Sequence, residues 1–438
     1  MKKIKLFVLL GLIVSLTLFA QEKSPLKWLI GYHKSIVDQP AKWLNSTVPG
    51  AIQLDVMYGE NYKQPYWYGN NFEQFTWMES YHFTYKSNFA KPTVKAGQKV
   101  YFHSKGIDYQ FSISLNGEKL LDQEGMFAYV NIDITDKLKD QNELKITLLP
   151  VPTVTGSRNT IWHYRDNARN SAKPAVSYGW DWHPRLITRG IWDETYLEVK
   201  NESFLKSATV DYDLNDALTD AKVRVNIEGD GLKSAGIGYK WMLKGADGSV
   251  VLTKEGKLTS DQEIISSDIK NVKLWWPNGY GKQELYTSTF ELSKNGALLE
   301  KKEAKVGFRR IKMIMSDGGW LEPQMFPKSR SVAPANFEVN GKRIFAKGSN
   351  WVHPEIFPGI MTKATYEPQI KLAKDANFNI FRVWGGGITN KESFFDLCDE
   401  YGILVWQEFP LACNLYPDDA GYLIILRVTI VLSFHSNH

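Results

Sequence analysis

Short stretches of alternating hydrophobic and polar residues dominate positions 21–200. Residues 111–115 (FSISL) carry an apolar side chain at every second position and lead into Asn116-Gly117, a dipeptide that favours the tight turn of a β-hairpin. The same alternation continues through residues 132–148. This pattern predicts an all-β sandwich, and we interpret it as a jelly roll.

A second alternating region covers residues 201–312. Val223, Val225 and Ile227 alternate strictly, and a further apolar series from Tyr286 leads into Asn295-Gly296. The length of this region suits an immunoglobulin-like β-sandwich.

The pattern changes from Phe337 onward. A hairpin sequence (FEVNGKRIFAKG) is followed by the segment SNWVHPEIF, a helical pattern beginning near Thr365, and two buried-strand candidates at residues 378–384 and 403–409. A strand, a crossover helix and a next strand imply a parallel pair. We therefore predict that residues 313–438 form the N-terminal part of a TIM (β/α)8 barrel.

The helix between the two strand candidates has clear signals. Asn390 is a candidate N-cap, apolar side chains recur at helical spacing from Phe394 to Tyr401, and Gly402 stops the run. Both strands end in residues that a plain core does not require. Arg382 and Trp384 precede three glycines, and Glu408 closes the second strand. In such a barrel the carboxyl ends of the strands carry the chemistry.

Composition narrows the possible functions. A chain of 438 residues holds two to four domains. The net charge of +5 is not gathered into a basic run, which argues against a nucleic-acid partner. The 15 Trp and 21 Tyr offer the flat apolar faces with polar handles that sugar rings require. The number of these aromatic residues by itself favours ordinary packing in the core and at interfaces over sugar binding.

Residues 1–20 combine three early lysines, an apolar run and Ala20 as a cleavage point. This pattern predicts a signal peptide and a secreted or periplasmic protein without stable membrane association. The only cysteines are Cys398 and Cys413, too few for a disulfide scaffold. Cys398 lies on the apolar face of its helix, which predicts a buried free thiol.

One loop of the first domain carries a candidate site. Asp181 stands between Trp180 and Trp182. A carboxylate flanked by indoles can accept hydrogen bonds from two sugar hydroxyls while the rings cover the apolar face of the pyranose. The alternative is an aspartate paired with Arg185 or Arg189 in a packed corner. The sequence of this loop leaves both open.

Six segments of the chain stand out as motifs: Tyr178–Trp182, Leu274–Tyr286, Val306–Ile311, Lys347–Trp351, Arg382–Gly387 and Asp396–Asp399. Together they resemble glycoside hydrolase family 2, and among its members the β-mannosidases. GWDW and VWGGG separate the β-mannosidase branch from β-galactosidases and β-glucuronidases, whereas LWWPNGYG and VGFR mark the wider family. The resemblance covers nearly everything between Leu26 and Asp419.

The resemblance implies a retaining exo-hydrolase that removes terminal β-mannose from the non-reducing end of mannosides. Asp181 would reach hydroxyls of the mannose, Trp384 would line its subsite, and Glu408 would support the site. The implied substrate-binding residues are Asp181, Trp180, Trp182, Asn350, Trp351, Arg382, Trp384 and Glu408. His183 departs from the family, in which Gly is usual, so the local loop shape should differ.

A packing role competes with the pocket role for several of these residues. Arg382 could pair with a neighbouring acid. Trp351, Trp384 and Trp406 could pack the upper layer of the barrel. The resemblance favours the pocket role for Trp384 and Arg382 and leaves the role of Glu408 open.

A retaining glycosidase needs two carboxyls about 5 to 5.5 Å apart. The resemblance implies that these glutamates lie on later barrel strands, and neither motif is present here, so no catalytic residue is assigned. Residues 420–438 are apolar and β-branched without helical phasing. We expect only about three of the eight barrel strands, an inactive chain, and a frameshift or broken gene model near Ala420. The less favoured alternative is a natural short protein that ends in a membrane-seeking strand.

Two other functions stay open. One is a non-catalytic carbohydrate-binding protein, and the other is a different family 2 activity such as β-galactosidase. The sequence has no zinc-type Cys/His spacing and no phosphate-cradling loop, so we expect no cofactor and no metal. The expected partner is a mannose-containing oligosaccharide or glycan.

Overall fold

The computed structural model describes residues 22–152, 171–317, 335–413 and 416–435. The signal peptide predicted at residues 1–20 lies outside these ranges, and so do Trp162 and Tyr164, which precede the Asp181 loop. The secreted or periplasmic location therefore stays a prediction.

The first domain is a sandwich of two antiparallel sheets. The strands are Glu22–Pro25 (β1), Trp28–His33 (β2), Leu44–Ser46 (β3), His82–Ala90 (β4), Lys99–Ser104 (β5), Ile107–Asp108 (β6), Gln110–Leu115 (β7), Glu118–Glu124 (β8), Val130–Asp133 (β9), Gln141–Leu148 (β10), Gly190–Ile191 (β11) and Thr195–Lys200 (β12). The two sheets have the orders β1-β12-β5-β9 and β3-β2-β4-β10-β7-β8, with β6 and β11 forming a small extra pair. Hydrophobic side chains from both large sheets share one core.

Local sequence chemistry explains the β7–β8 hairpin. Asn116 and Gly117 have φ angles of 55° and 86°, the left-handed pair that a two-residue hairpin turn needs. The alternate side chains of β7 are buried in the core. This confirms the predicted hairpin. The domain also contains the α-helix Ile52–Glu60 and the 3-10 helices Asn71–Ser80, Thr135–Lys137 and Ala175–Tyr178.

The second domain is a smaller sandwich. The strands are Phe204–Leu214 (β13), Ala221–Asp230 (β14), Ile237–Lys244 (β15), Val250–Lys257 (β16), Gln262–Ile269 (β17), Tyr286–Lys294 (β18) and Ala297–Val306 (β19). Its sheets have the orders β13-β14-β17 and β16-β15-β18-β19, and the alternating Val223, Val225 and Ile227 are buried between them. Asn295 and Gly296 again adopt positive φ angles, of 51° and 84°.

The third region holds two three-stranded sheets. Ile311–Met315 (β20), Ala335–Val339 (β21) and Lys342–Ile344 (β22) are antiparallel, so hydrogen bonding continues across the boundary predicted after residue 312. Gly348–Trp351 (β23), Ile380–Val383 (β24) and Leu404–Gln407 (β25) are parallel, which confirms the predicted parallel pair. This parallel sheet is the part of the barrel prediction that the structure describes.

Two helices cover one face of the parallel sheet. They are Lys363–Asp375 and Glu392–Tyr401, and Phe381 and Val383 of β24 pack against them. Cys398 is a buried free thiol, as predicted, and burial raises its pKa. A short 3-10 helix, Pro358–Ile360, precedes the first of these helices.

The predicted start of the second helix was wrong by one residue. Lys391 is its N-cap and has no side-chain capping bond. The Oδ1 atom of Asn390 instead accepts a hydrogen bond from Trp351 Nε1 at 3.1 Å. A buried indole N–H requires an acceptor. The Asn390 side chain therefore serves Trp351 and does not cap the helix. The predicted stop at Gly402 is confirmed by its left-handed φ of 80°.

Three of the motifs join the second domain to the third region. Trp275 is fully buried and its Nε1 donates to the Asp399 carbonyl at 2.8 Å. The Arg309 guanidinium lies 4.4 Å from the centroid of the Trp275 ring and pairs with the Asp399 carboxylate at 2.9 Å. These residues therefore fix the orientation of the helix Glu392–Tyr401 and do not belong to a sugar pocket.

The apolar C-terminal segment forms the helix Ala420–His435. Asp419 caps it, since its Oδ1 accepts a hydrogen bond from Tyr422 N at 3.0 Å. The strand proposed as an alternative for this tail is therefore wrong. Among the described residues no helix is both long and apolar enough to cross a membrane.

Asp55 couples stability to pH. Burial raises its pKa to about 7, against the hydrogen bonds from Thr47 N and Ser46 Oγ that lower it. The folded state holds this proton more tightly than the unfolded chain. Its contribution to stability is therefore complete below pH 4 and is lost as the pH rises towards 7.

Asp55→Asn should remove this loss. Because the pKa of Asp55 rises from 3.8 to about 7, the difference in stability between variant and wild type should change by about 4 kcal/mol in favour of the variant between pH 4 and pH 8. Urea denaturation of both proteins at the two pH values measures the difference. The buried histidines make stability depend on pH in the opposite direction. Their effect is the same in both proteins, so it cancels when the two are compared at each pH. An equal gap at pH 4 and pH 8 would contradict the assignment.

Candidate functional site

The parallel sheet places three of the candidate residues side by side. Asn350, Arg382 and Trp406 occupy matched positions on β23, β24 and β25. Residues paired across a sheet point to the same face, and this face is opposite to the one that the helices cover. Asn350 and Trp406 are exposed there and Arg382 is half-buried.

Arg382 pairs with Glu408, as the packing alternative predicted. Arg382 Nε donates to Glu408 Oε1 at 2.6 Å, and Arg382 Nη1 donates to Asn350 Oδ1 at 3.1 Å. The second oxygen of Glu408 accepts from Gly385 N at 2.9 Å. One carboxylate therefore fixes the guanidinium and the first residue of the glycine run. An acid engaged in this way is suited to a supporting role.

The glycines allow close approach of other groups. A Cβ atom on Gly385 would lie 2.2 Å from the Phe409 carbonyl oxygen, and one on Gly386 would lie 2.0 Å from the Trp384 ring. The φ angles of these glycines are not in the left-handed region. Glycine is needed here because a side chain would clash with the neighbouring atoms, and not because of the backbone conformation. Val176 N of the first domain donates to the Gly386 carbonyl at 3.2 Å.

Three tryptophans from two domains meet at this point. The ring centroid of Trp384 lies 5.2 Å from that of Trp180 and 5.4 Å from that of Trp182, and the two first-domain rings are 6.3 Å apart. Asp181, between those two residues in the chain, is exposed to solvent. The acid of the leading sandwich and the tryptophan at the strand tip are therefore brought to one place.

Backbone hydrogen bonds shape the Asp181 loop. Trp180 N donates to His183 O at 2.9 Å, and His183 N donates to Trp180 O at 3.2 Å. His183 is buried, its Nδ1 donates to the Pro184 carbonyl, and its ring lies 6.3 Å from that of His353. Burial lowers the pKa of His183 and lowers that of His353 to about 3. Both rings are therefore neutral at physiological pH.

The packed-corner alternative does not fit the exposed Asp181. Arg185 donates to Glu79 at 2.8 Å and to the Tyr178 carbonyl at 3.3 Å. Arg189 is buried and its guanidinium donates to backbone carbonyls of Met78, Tyr81 and Leu149. These arginines hold the base of the loop and leave its acidic tip open to a ligand.

Trp351 lies in the hydrophobic core and not in a pocket wall. It is buried, and its ring centroid is 4.9 Å from those of both Phe381 and Phe394, in the core beneath the helices. This placement fits the packing alternative, and any contact with sugar stays a prediction. Trp406 is 52% exposed and does not pack an upper layer among the described residues.

Sequence reasoning missed the residues that seat the Asp181 loop. His353 is buried and its Nδ1 accepts from Ile388 N at 3.0 Å. Lys173 is buried, pairs with Asp108 and donates to the Thr188 carbonyl at 2.8 Å. A lone lysine or histidine gives no sequence signal for such a role. No group of three or more metal-ligating side chains occurs in the part of the chain that the structure describes.

Two family models match the chain. Residues 31–193 match "Glycosyl hydrolase 2 galactose-binding domain-like", and residues 203–309 match "Glycosyl hydrolases family 2". Together they take in well over half of the chain.

Similar proteins carry consistent names. Beta-mannosidase B of Emericella nidulans is 30% identical over 86% of this chain, and beta-mannosidase of Mus musculus is 28% identical over 88% of it. The crystal structure of a beta-D-mannosidase from Dictyoglomus thermophilum superposes with a TM-score of 0.82 at 27% identity and covers 95% of this chain. A beta-glucuronidase of Bacteroides uniformis, at 15% identity and a TM-score of 0.66, shares the fold.

The chain spans about half of these proteins. It covers 45% of both named mannosidase sequences and 51% of the Dictyoglomus chain. The domains, the motifs and the similar proteins agree, so the chain belongs to glycoside hydrolase family 2. Within that family its sequence resembles the β-mannosidases, as the motifs predicted.

Proposed function

We propose that this chain forms the substrate-binding part of a β-mannosidase that releases terminal, non-reducing β-D-mannose with retention of configuration. The observation that carries the proposal is the meeting of Trp180, Trp182 and Trp384 around the loop of the exposed Asp181. Flat indole faces cover the apolar face of a pyranose, and a carboxylate accepts hydrogen bonds from adjacent hydroxyls.

Each residue has a stated role in this proposal. Asp181 accepts hydroxyl hydrogen bonds, Trp180 and Trp182 flank the ring, and Trp384 lines the subsite. Arg382 and Asn350 form the pocket floor, with Arg382 held by Glu408. Trp351 packs beneath the floor.

Catalysis needs a pair of carboxyls, and our proposal assigns neither of them to a residue of this chain. Glu408 is engaged by Arg382 and Gly385, which supports its assignment as a positioning group. The three parallel strands would be the first of eight in a TIM barrel. The acid/base and nucleophile glutamates would lie on later strands, about 5 to 5.5 Å apart.

Ligand specificity tests this proposal. We expect the chain to bind methyl β-mannoside more tightly than methyl β-galactoside and phenyl β-glucuronide in titration calorimetry. Turnover of an aryl β-mannoside by these residues should be negligible, because our proposal assigns none of them to the catalytic carboxyl pair. Trp384→Ala should abolish binding, whereas Trp43→Ala, which removes a half-buried first-domain tryptophan packed on Lys86, should not. Preference for the galactoside, or appreciable turnover, would contradict the proposal.

The second candidate is a non-catalytic carbohydrate-binding protein. The exposed Asp181 and its three tryptophans favour it for the chain as given, since they require no reaction. Binding without turnover by this chain fits both candidates. Turnover by a full-length protein carrying the later barrel strands would support the enzyme.

A further inference from the structure

A second group of aromatic side chains is exposed on the first domain. Tyr66, Trp67 and Tyr68 follow one another and are 38%, 66% and 75% exposed. We call these three residues the aromatic ridge. Single exposed apolar residues are ordinary, but a cluster of this kind on a soluble domain marks a binding surface.

The backbone that carries the ridge is held in place. Pro65 is buried, Asn71 Nδ2 donates to the Gln64 carbonyl at 2.9 Å, and Asn71 N donates to the Tyr68 carbonyl at 3.2 Å. These contacts close the loop on both sides of the three rings. Rings presented on a fixed loop lose less conformational entropy when a ligand binds.

One short segment connects the ridge with the sugar pocket. The ring centroid of Tyr66 is 6.2 Å from that of Phe357. Phe357 follows His353 by four residues, and the His353 ring is 6.3 Å from that of His183, two residues after Asp181. The segment 353–357 therefore lies between the ridge and the pocket.

A carboxylate lies between the two surfaces. Glu355 is half-buried and accepts a hydrogen bond from Phe357 N at 3.3 Å. Burial and the charge of Glu355 both raise the pKa of Tyr66. Every ring of the ridge also carries its own O–H or N–H group. This mixture of aromatic faces and polar groups suits sugar hydroxyls better than the aliphatic surface of a protein partner.

We propose that the aromatic ridge is a second carbohydrate-binding surface, which stacks the inner sugar rings of a β-linked manno-oligosaccharide whose terminal residue occupies the Asp181 pocket. The identity of the sugar rests on the function proposed above. Trp67 and Tyr68 supply the stacking faces, and Glu355 accepts a hydroxyl between the two surfaces. The preferred ligand is then an oligosaccharide and not a single mannoside.

Affinity as a function of chain length tests the ridge. The wild type should bind β-mannotriose at least tenfold more tightly than methyl β-mannoside in titration calorimetry. The double variant Trp67→Ala/Tyr68→Ala should bind the trisaccharide no more tightly than the mannoside. The control Phe345→Ala removes a ring that is 75% exposed before the opposite, N-terminal end of β23 and should keep the tenfold gain. A double variant that also keeps the gain overturns the proposal.

Affinity electrophoresis through soluble β-mannan separates the ridge from the pocket. Trp384→Ala should still be retarded by the polysaccharide, and the double ridge variant should be retarded less than the wild type. Retardation lost in Trp384→Ala but complete in the ridge variant would overturn the ridge and leave the pocket. Light scattering tests the alternative that the ridge binds a second copy of this chain. Self-association that disappears only in the ridge variant would support that alternative and would also overturn the proposal.

Discussion

Asp181→Asn should weaken the binding of methyl β-mannoside at least a hundredfold. In the proposed pocket the carboxylate accepts hydrogen bonds from two hydroxyls, and each such bond to a charged group is worth about 1.5 to 3 kcal/mol. An amide of the same size offers one neutral acceptor and turns a donor towards the sugar. Each 1.4 kcal/mol corresponds to about a tenfold loss of affinity. Titration calorimetry measures the change.

A matched aspartate controls for the loss of one negative charge. Asp216 is fully exposed in the second domain, outside the pocket, so Asp216→Asn should bind as the wild type does. Asp181 is exposed, so neither substitution should change the midpoint of thermal unfolding. If Asp181→Asn retained wild-type affinity, the acid would have no contact with the sugar and the proposed pocket would be refuted.

Gly386→Ala should reduce mannoside affinity by about tenfold while leaving every tryptophan in the chain. The new methyl group would lie 2.0 Å from the Trp384 ring, so the ring must leave its present position beside Trp180 and Trp182. Loss of an aromatic contact is worth about 0.5 to 1.5 kcal/mol beyond the buried area, and each 1.4 kcal/mol is about tenfold in affinity. The φ of Gly386 is one that alanine accepts, so the domain should still fold. Calorimetry and tryptophan fluorescence report the affinity and the ring displacement.

The neighbouring glycine is the control. A Cβ atom on Gly387 would be no closer than 3.2 Å to His353 Nδ1, a tight contact that a small shift relieves. Gly387→Ala should therefore lose less than fivefold in affinity and keep the wild-type fluorescence. Equal losses in the two variants would show that the glycine run matters for its backbone and not for the position of the Trp384 ring.

Parts of the fold could be predicted because neighbouring residues decide them. Asn116-Gly117 requires positive φ angles at two successive residues, so the turn and the register of its strands follow from local chemistry. Gly402 ends its helix for the same reason. Asn390 shows the limit of local chemistry, because it serves equally as a cap and as an acceptor for a buried indole. Only the position of Trp351 decided between them.

The candidate site was predicted in part. The sequence picked out Asp181 and Trp384 because indoles beside an acid and glycines at a strand end are unusual in a core. It left open whether Glu408 acts in the pocket or supports it, and the structure places its carboxylate on Arg382 and Gly385. It assigned Trp351 to the pocket with the others, although that ring lies in the core.

The sequence by itself determined the order of β-sandwich, β-sandwich and strand–helix units, since hydrophobic periodicity depends only on near neighbours. It also determined the family, because motifs are read directly from the chain. Tertiary structure alone decided that Trp180 and Trp182 meet Trp384, about two hundred residues later, and that Trp275, Arg309 and Asp399 lock two domains together. Such contacts depend on how whole domains pack, and no local pattern records that geometry.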